Sequence, residues 1–297
     1  MFSFFGTNAL SSGQLLWLIA DVLSDSSPLS LEEIVQKLQP RSLHEKDSQQ
    51  KIDPIKNSAA VGVQLGVFGE TGRNERKKYK LQVGTEIVSN QRDFRREVRS
   101  RLFGGVEGGP SVDSDLAAAI VWFMTVDPRR TFASGKEAIK RTNDHGLGHK
   151  ADGDAIVGND TQWNHLVRWL DYLGLAIRTR RGRSETIAVD LCAAIEDEFD
   201  DLKPEMAANK FLEHFSGRMP FIDPSFISSE LDRLQVRPER QQSLSSCSAF
   251  ADALFILEQS GRLSFERLSD ARSMITLIDS DGAEREISKV RVIDGSK

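Results

Sequence analysis

The sequence predicts a mainly α-helical protein with small β-hairpin wings: tandem winged helix-turn-helix domains followed by a C-terminal α+β region. Two observations carry this. The first is a pair of short basic hairpins, each preceded by helical patterns. One runs Leu65-Gly66-Val67-Phe68, a polar turn at Thr71-Gly72-Arg73-Asn74, then Lys77-Lys78-Tyr79-Lys80-Leu81. The other runs Leu175-Ala176-Ile177-Arg178, a turn at Arg181-Gly182-Arg183-Ser184, then Thr186-Ile187-Ala188-Val189. The second observation is length: 297 residues suit two to three domains at about 100–200 residues each.

The first unit, residues 1–90, opens with Leu15, Leu16, Ile19, Val22 and Leu23 on one helical face. Ser30 with Glu33 three residues on is a capping box, starting a helix with Leu31, Ile34, Val35 and Leu38 inward that Pro40 stops. Residues 41–52 read as an irregular insertion. Asp53-Pro54 then suits a cap followed by proline at the first helical position, and that helix leads into the first hairpin.

Residues 91–110 join a basic helix, Asp93 to Leu102 with Arg95, Arg96, Arg99 and Arg101, to a glycine-rich linker at 104–110. The second unit, 111–192, repeats the plan. Leu116, Ala119, Ile120 and Phe123 form one face. Ser134 with Glu137 is a second capping box, opening a short helix through Arg141. Asn159 or Asp160 caps a helix with Trp163, Leu166, Val167, Leu170 and Leu173 inward, closed by Gly174. In residues 193–297, helices are expected around Phe211, after Asp223-Pro224 and around Leu254. A terminal hairpin is expected between Met274–Ile278 and Ile287–Ile293, which leaves open a third, degenerate winged unit.

Charge is unevenly spread. The chain is −5 overall, yet Thr71–Phe103 carries ten Lys/Arg against four Asp/Glu, and Asp190–Glu213 eight acidic residues against two lysines. Such segregation points to separate partners, one of them anionic. In a helix-turn-helix the last helix enters the major groove. A helical wheel of the 163–173 helix sets Thr161, Asn164, His165, Arg168 and Tyr172 opposite its apolar face. These can contact base edges, with Arg178, Arg180, Arg181 and Arg183 of the wing on phosphate or in a narrow minor groove. The first unit's third helix turns Asn57, Ala60, Val61 and Gln64 outward, and an apolar pair there suits a protein contact. Its wing still offers Arg73, Arg76, Lys77 and Lys78 to a DNA backbone. The expected partners are therefore double-stranded DNA and other protein subunits of a complex.

Chemistry is not expected. His145 and His149 with Asp144, Asp152 and Asp154 are metal-type side chains, but glycines between the histidines argue for a polar loop, so no metal is assigned. Residues 104–109 lack the Gly-Lys-Ser/Thr of a phosphate loop, and no Gly-x-Ser-x-Gly elbow occurs. Cys192 and Cys247 read as buried thiols of an intracellular protein. No catalytic residue and no cofactor follows from the sequence. Met1–Phe5 has no basic stretch and the apolar run Leu15–Ala20 stops at Asp21, so neither signal peptide nor membrane span is expected. A cytoplasmic protein is the expectation.

This layout, Leu15–Leu38 and Trp163–Val189 in particular, together with the acidic charge and length, resembles accessory proteins of bacterial DNA-modification and phage-defence clusters. It is similar to the DpdG family, associated with 7-deazaguanine modification of DNA and linked restriction functions. The resemblance spans most of the chain and implies a non-catalytic subunit that engages DNA beside partner enzymes; it assigns no residue a role. Winged-helix subunits of chromosome-condensing complexes look similar at this level. Two alternatives stand beside the DNA-binding subunit: a winged-helix protein-interaction scaffold without direct DNA binding, and a transcription regulator.

Overall fold

The protein is described by a computed structural model covering residues 4, 11–26, 28–39, 48–72, 77–104, 114–132, 135–147, 156–181, 184–239, 247–269 and 273–293. The described residues are mostly helical, with small antiparallel sheets.

Local signals place the first elements. Ser12 caps α1 (Gly13–Asp25), accepting from the Leu15 N–H at 3.1 Å, and Leu16, Ile19, Ala20 and Leu23 are buried. β1 (Leu29–Ser30) runs into α2 (Leu31–Leu38). The box at its start is complete: the Glu33 N–H donates to Ser30 Oγ, and the Ser30 N–H to Glu33 Oε2 at 2.7 Å. The third helix differs from expectation. α3 spans Ser48–Gln64 and contains Pro54 within it, so proline does not mark its start and residues 48–52 of the expected insertion are helical; residues 41–47 lie outside the described residues. β2 (Phe68–Thr71) and β3 (Lys78–Leu81) form the hairpin, and β3 lies between β1 and β2.

After a single turn, α4 (Thr85–Val88), comes α5 (Gln91–Phe103), capped by Asn90. The linker beyond Gly104 lies largely outside the described residues. α6 (Asp115–Phe123) departs from the one-faced pattern expected of it, because every residue is buried. A helix apolar all round belongs in the interior, and α6 packs against both α8 and α11.

α7 (Gly135–Asp144) runs three residues beyond Arg141; Ser134, its expected cap, lies outside the described residues. α8 (Asp160–Tyr172) starts at Asn159, whose side chain accepts from the Gln162 N–H at 3.0 Å. It closes at Gly174, whose φ of +70° is a conformation suited to glycine. The hairpin β4 (Ala176–Arg181) and β5 (Ser184–Val189) follows. Phe132 bridges to Ile187 on the other side of β5, with hydrogen bonds of 2.9 and 3.3 Å. β5 is thereby the middle of three, as β3 is in the first unit.

The C-terminal third carries the same order with insertions. After α9 (Cys192–Glu196) come β6 (Glu205–Ala207), α10 (Ala208–Arg218), α11 (Pro224–Leu234, capped by Asp223) and α12 (Ser248–Gln259). β7 (Leu263–Glu266), β8 (Ile275–Ile278), β9 (Glu284–Ile287) and β10 (Lys289–Val292) complete it. The expected terminal hairpin is split at Ser288. β8 pairs with β9, whereas β10 crosses to lie between β6 and β7. Helix, strand, helix, helix, strand, strand, with the last strand central, is thus complete in the first unit; the second has the Phe132 bridge in place of the first strand, and the third adds a helix and the β8–β9 hairpin.

The units are packed together. The Trp169 ring meets Phe4 edge-on at 5.4 Å, and its indole N–H donates to Ser11. α1 crosses α8 at Gly13, where a Cβ would run into the Tyr172 ring. The largest departure from expectation is electrostatic. The α5 arginines and the acidic tract after α9 neutralise each other. Arg95 and Arg99 both donate to Asp197 Oδ2 at 2.7 Å, Arg96 reaches Glu198 at 3.0 Å and also Asp201, and Arg92 pairs with Asp200. Part of the segregated charge of the sequence is thus paired internally, Arg92, Arg95, Arg96 and Arg99 with Asp197, Glu198, Asp200 and Asp201.

Candidate nucleic-acid interface

Among the described residues, expected base-reading and phosphate-binding side chains come together on the second unit. On α8, Thr161, Asn164 and Arg168 are exposed along one side. They sit there because Trp163, Leu166, Trp169 and Leu170, at helical spacing, take the opposite side into the core.

Two of the five residues expected on that surface are not on it. His165 is 1% exposed, and neither ring nitrogen has a hydrogen-bond partner among the described residues. Burial, and secondarily Arg168, lower its pKa below the ordinary histidine value. Tyr172 faces α1, its ring stacked edge-on to Trp169 at 6.1 Å, and burial pushes its hydroxyl pKa upward. A wheel drawn on α8 alone shows the side facing its own hairpin and misses the side covered by α1.

The wing extends the surface. Arg178, Thr179 and Arg180 are exposed on β4. Arg178 lies 3.5 Å from Asp171, and the Thr179 and Thr186 hydroxyls share a hydrogen bond of 2.6 Å. The backbone of Arg181 ends β4; its side chain, and the whole of Arg183, lie outside the described residues. Between helix and hairpin is a depression of about 290 Å³, lined by Asn164, Arg168, Arg178 and Thr186 with Phe132 and Trp163 beneath.

The sequence reading missed two cations. Lys136 and Lys140, one turn apart on α7, are exposed and line a second depression that reaches Asn159 and Asp160 at the start of α8. Their Lys-x-x-x-Lys spacing was the available signal, since residues four apart share a helix face. Arg141 is not part of this surface: it lies 4.2 Å above the Phe132 ring and pairs with Glu239.

The first unit is a weaker candidate. Val61 is buried, so the expected outward apolar pair reduces to Ala60, with Asn57 half-buried and Gln64 exposed. Arg73 and Arg76 lie outside the described residues. Lys77 is held by Glu70, which raises its pKa, and Lys78 and Lys80 are exposed. Of the α5 arginines, Arg92, Arg95, Arg96 and Arg99 are held by the acidic tract, and Arg101 by Glu97 and the Leu65 and Gly66 carbonyl oxygens.

Of the metal-type residues, His145 contacts the Arg237 carbonyl oxygen through Nδ1 at 3.2 Å and lies beside Trp122. His149, Asp152 and Asp154 are outside the described residues, among which no group of three metal-type ligands occurs. Burial raises the Cys247 thiol to about 12 and the Cys192 thiol upward as well, which disfavours the nucleophilic thiolate. Among the described residues no helix is long and apolar enough to cross a membrane.

No curated protein matches the chain. A family model described as DpdG-like matches residues 7–271.

Proposed function

The chain belongs to the DpdG-like family, and we propose that it is a non-catalytic, cytoplasmic, DNA-binding subunit of a bacterial DNA-modification or phage-defence complex. The family's association with DNA modification supports the setting. The recurring order with a central last strand supports reading the units as winged helices. The observation that carries the DNA reading is α8: Thr161, Asn164 and Arg168 face solvent, flanked by Lys136 and Lys140 on one side and Arg178 and Arg180 on the other. In this reading α8 enters the major groove, with the cations on phosphates to either side.

Affinity then comes mainly from counterion release. With about six phosphate contacts, log K should fall with log salt at a slope of about −5, roughly a thousandfold between 50 and 200 mM. Fluorescence anisotropy of a labelled random duplex, titrated with salt, tests this. Tight, steeply salt-dependent binding is expected; no binding at low salt rejects the reading.

A second reading, a protein-interaction scaffold, is favoured by α12. It holds the place in the third unit that α8 holds in the second, yet contains no lysine or arginine. The readings are compatible if different units take different partners.

A further inference from the structure

α12 borders a groove of about 650 Å³ running between the second unit's hairpin and the third unit. Its walls are apolar at two prominent points. Ile177 on β4 is 47% exposed and Ile256 on α12 is 51% exposed, both lining the same groove with Ala253 and Phe255 beside them. Isolated exposed aliphatics are ordinary; two converging on one concave surface are a contact in waiting.

The charge around these isoleucines is one-sided. Asp190, Asp252, Glu258, Asp279, Asp281 and Glu284 line the groove, against Arg129 and Arg285. Both arginines are engaged, Arg129 by Asp127 and Asp281 and Arg285 by Glu258, so Asp281 and Glu258 are matched and Asp190, Asp252, Asp279 and Glu284 make up the surplus. The groove therefore presents an apolar strip with a surplus of carboxylates. Nucleic acid is repelled by it. The chain's own basic helix α5 is no candidate occupant, because Asp197, Glu198, Asp200 and Asp201 hold its arginines.

We propose that this groove docks a cationic amphipathic helix of a partner subunit, its apolar side chains on Ile177 and Ile256 and its Lys or Arg against the surrounding carboxylates. Helix-in-groove recognition supplies affinity through the apolar anchors, and the complementary charge supplies selection and encounter rate. The face is distinct from the α8 surface, so failure here leaves the DNA reading standing.

The test uses the intact chain and a labelled Leu/Lys amphipathic peptide of about 18 residues, five helical turns. The control is the same peptide with Glu for every Lys. Anisotropy is expected to show saturable binding of the Lys peptide only. Ile177→Asp with Ile256→Asp, and separately Asp281→Lys with Glu284→Lys, should each weaken it about tenfold or more. Arg168→Glu with Arg178→Glu should leave it unchanged while abolishing duplex binding. Hydrogen exchange with bound peptide should show protection at 176–190 and 249–259. Equal binding of the Glu peptide, indifference to both groove variants, or protection elsewhere overturns the proposal. So does sedimentation showing a dimer that Ile177→Asp with Ile256→Asp converts to monomer.

Discussion

Arg99 and Asp197 stand 98 residues apart in sequence and meet in the interior, the Arg99 guanidinium donating to the Asp197 carboxylate at 2.7 Å with both side chains almost fully buried. The same guanidinium also donates to the Leu173 and Ala194 carbonyl oxygens and to Glu198, so α5 is tied to both the end of α8 and the acidic tract. The Asp197 carboxylate has Arg95 as a second donor.

Removing one side of this arrangement leaves buried charge uncompensated. Arg99→Ala is expected to cost about 3–5 kcal/mol, the range for breaking a buried ion pair from one side. Arg99→Met with Asp197→Leu should cost clearly less than the sum of the single changes. Urea unfolding of Arg99→Ala checks the first statement, and a double-mutant cycle of the parent, Arg99→Met, Asp197→Leu and the double variant checks the second.

On the α8 surface, Arg168→Ala and Arg180→Ala should each lower duplex affinity and reduce the magnitude of the salt slope by about 1, as loss of a phosphate contact does. Lys136→Ala with Lys140→Ala should reduce it by about 2. Lys77→Ala should change little, because its ammonium is held by Glu70. Salt-titrated anisotropy of each variant reads the slopes directly.

His165 should make stability fall in mild acid. Its folded pKa lies below that of the unfolded chain, so as pH drops through about 6.5 the unfolded state takes up a proton first. Stability is then complete above that value and is lost as pH falls toward the folded pKa. His214, lowered chiefly by burial, acts in the same direction. His165→Leu should flatten the pH dependence of the melting temperature between neutral pH and about 5, a range set by the ordinary histidine value. An unchanged profile would remove His165 as a source.

Gly13→Ala should destabilise by about 1–3 kcal/mol, the cost of overpacking a close contact, because the added methyl meets the Tyr172 ring. Tyr172→Ala should relieve much of that penalty when combined with it. Thermal unfolding of the pair separates this contact from a general effect on α1.

What could be read in the sequence follows the range of the interactions. The Ser30–Glu33 box, the Asn159 cap, the Asp223-Pro224 start and the Gly174 stop all act within one turn, and all are found where their residues predict. The destination of α5 was illegible because a run of arginines looks the same whether solvated or paired across 98 positions. His165 and Tyr172 were misplaced because α8 is covered by α1 and α6 as well as by α7 and its own hairpin. The split of the terminal hairpin at Ser288 escaped for a related reason. Alternation along a strand shows which side chains face inward but not which strand lies alongside.

The order of the chain also gives the α5 cluster a history during synthesis. Arg99 leaves the ribosome 98 residues before Asp197, which at about 5–20 residues per second amounts to roughly 5–20 s. Through that interval Arg92, Arg95, Arg96 and Arg99 lack the carboxylates that hold them in the folded chain. A fragment that stops short of Asp197 would keep those cations unmatched, and any nucleic-acid binding it showed would report on an unfinished protein.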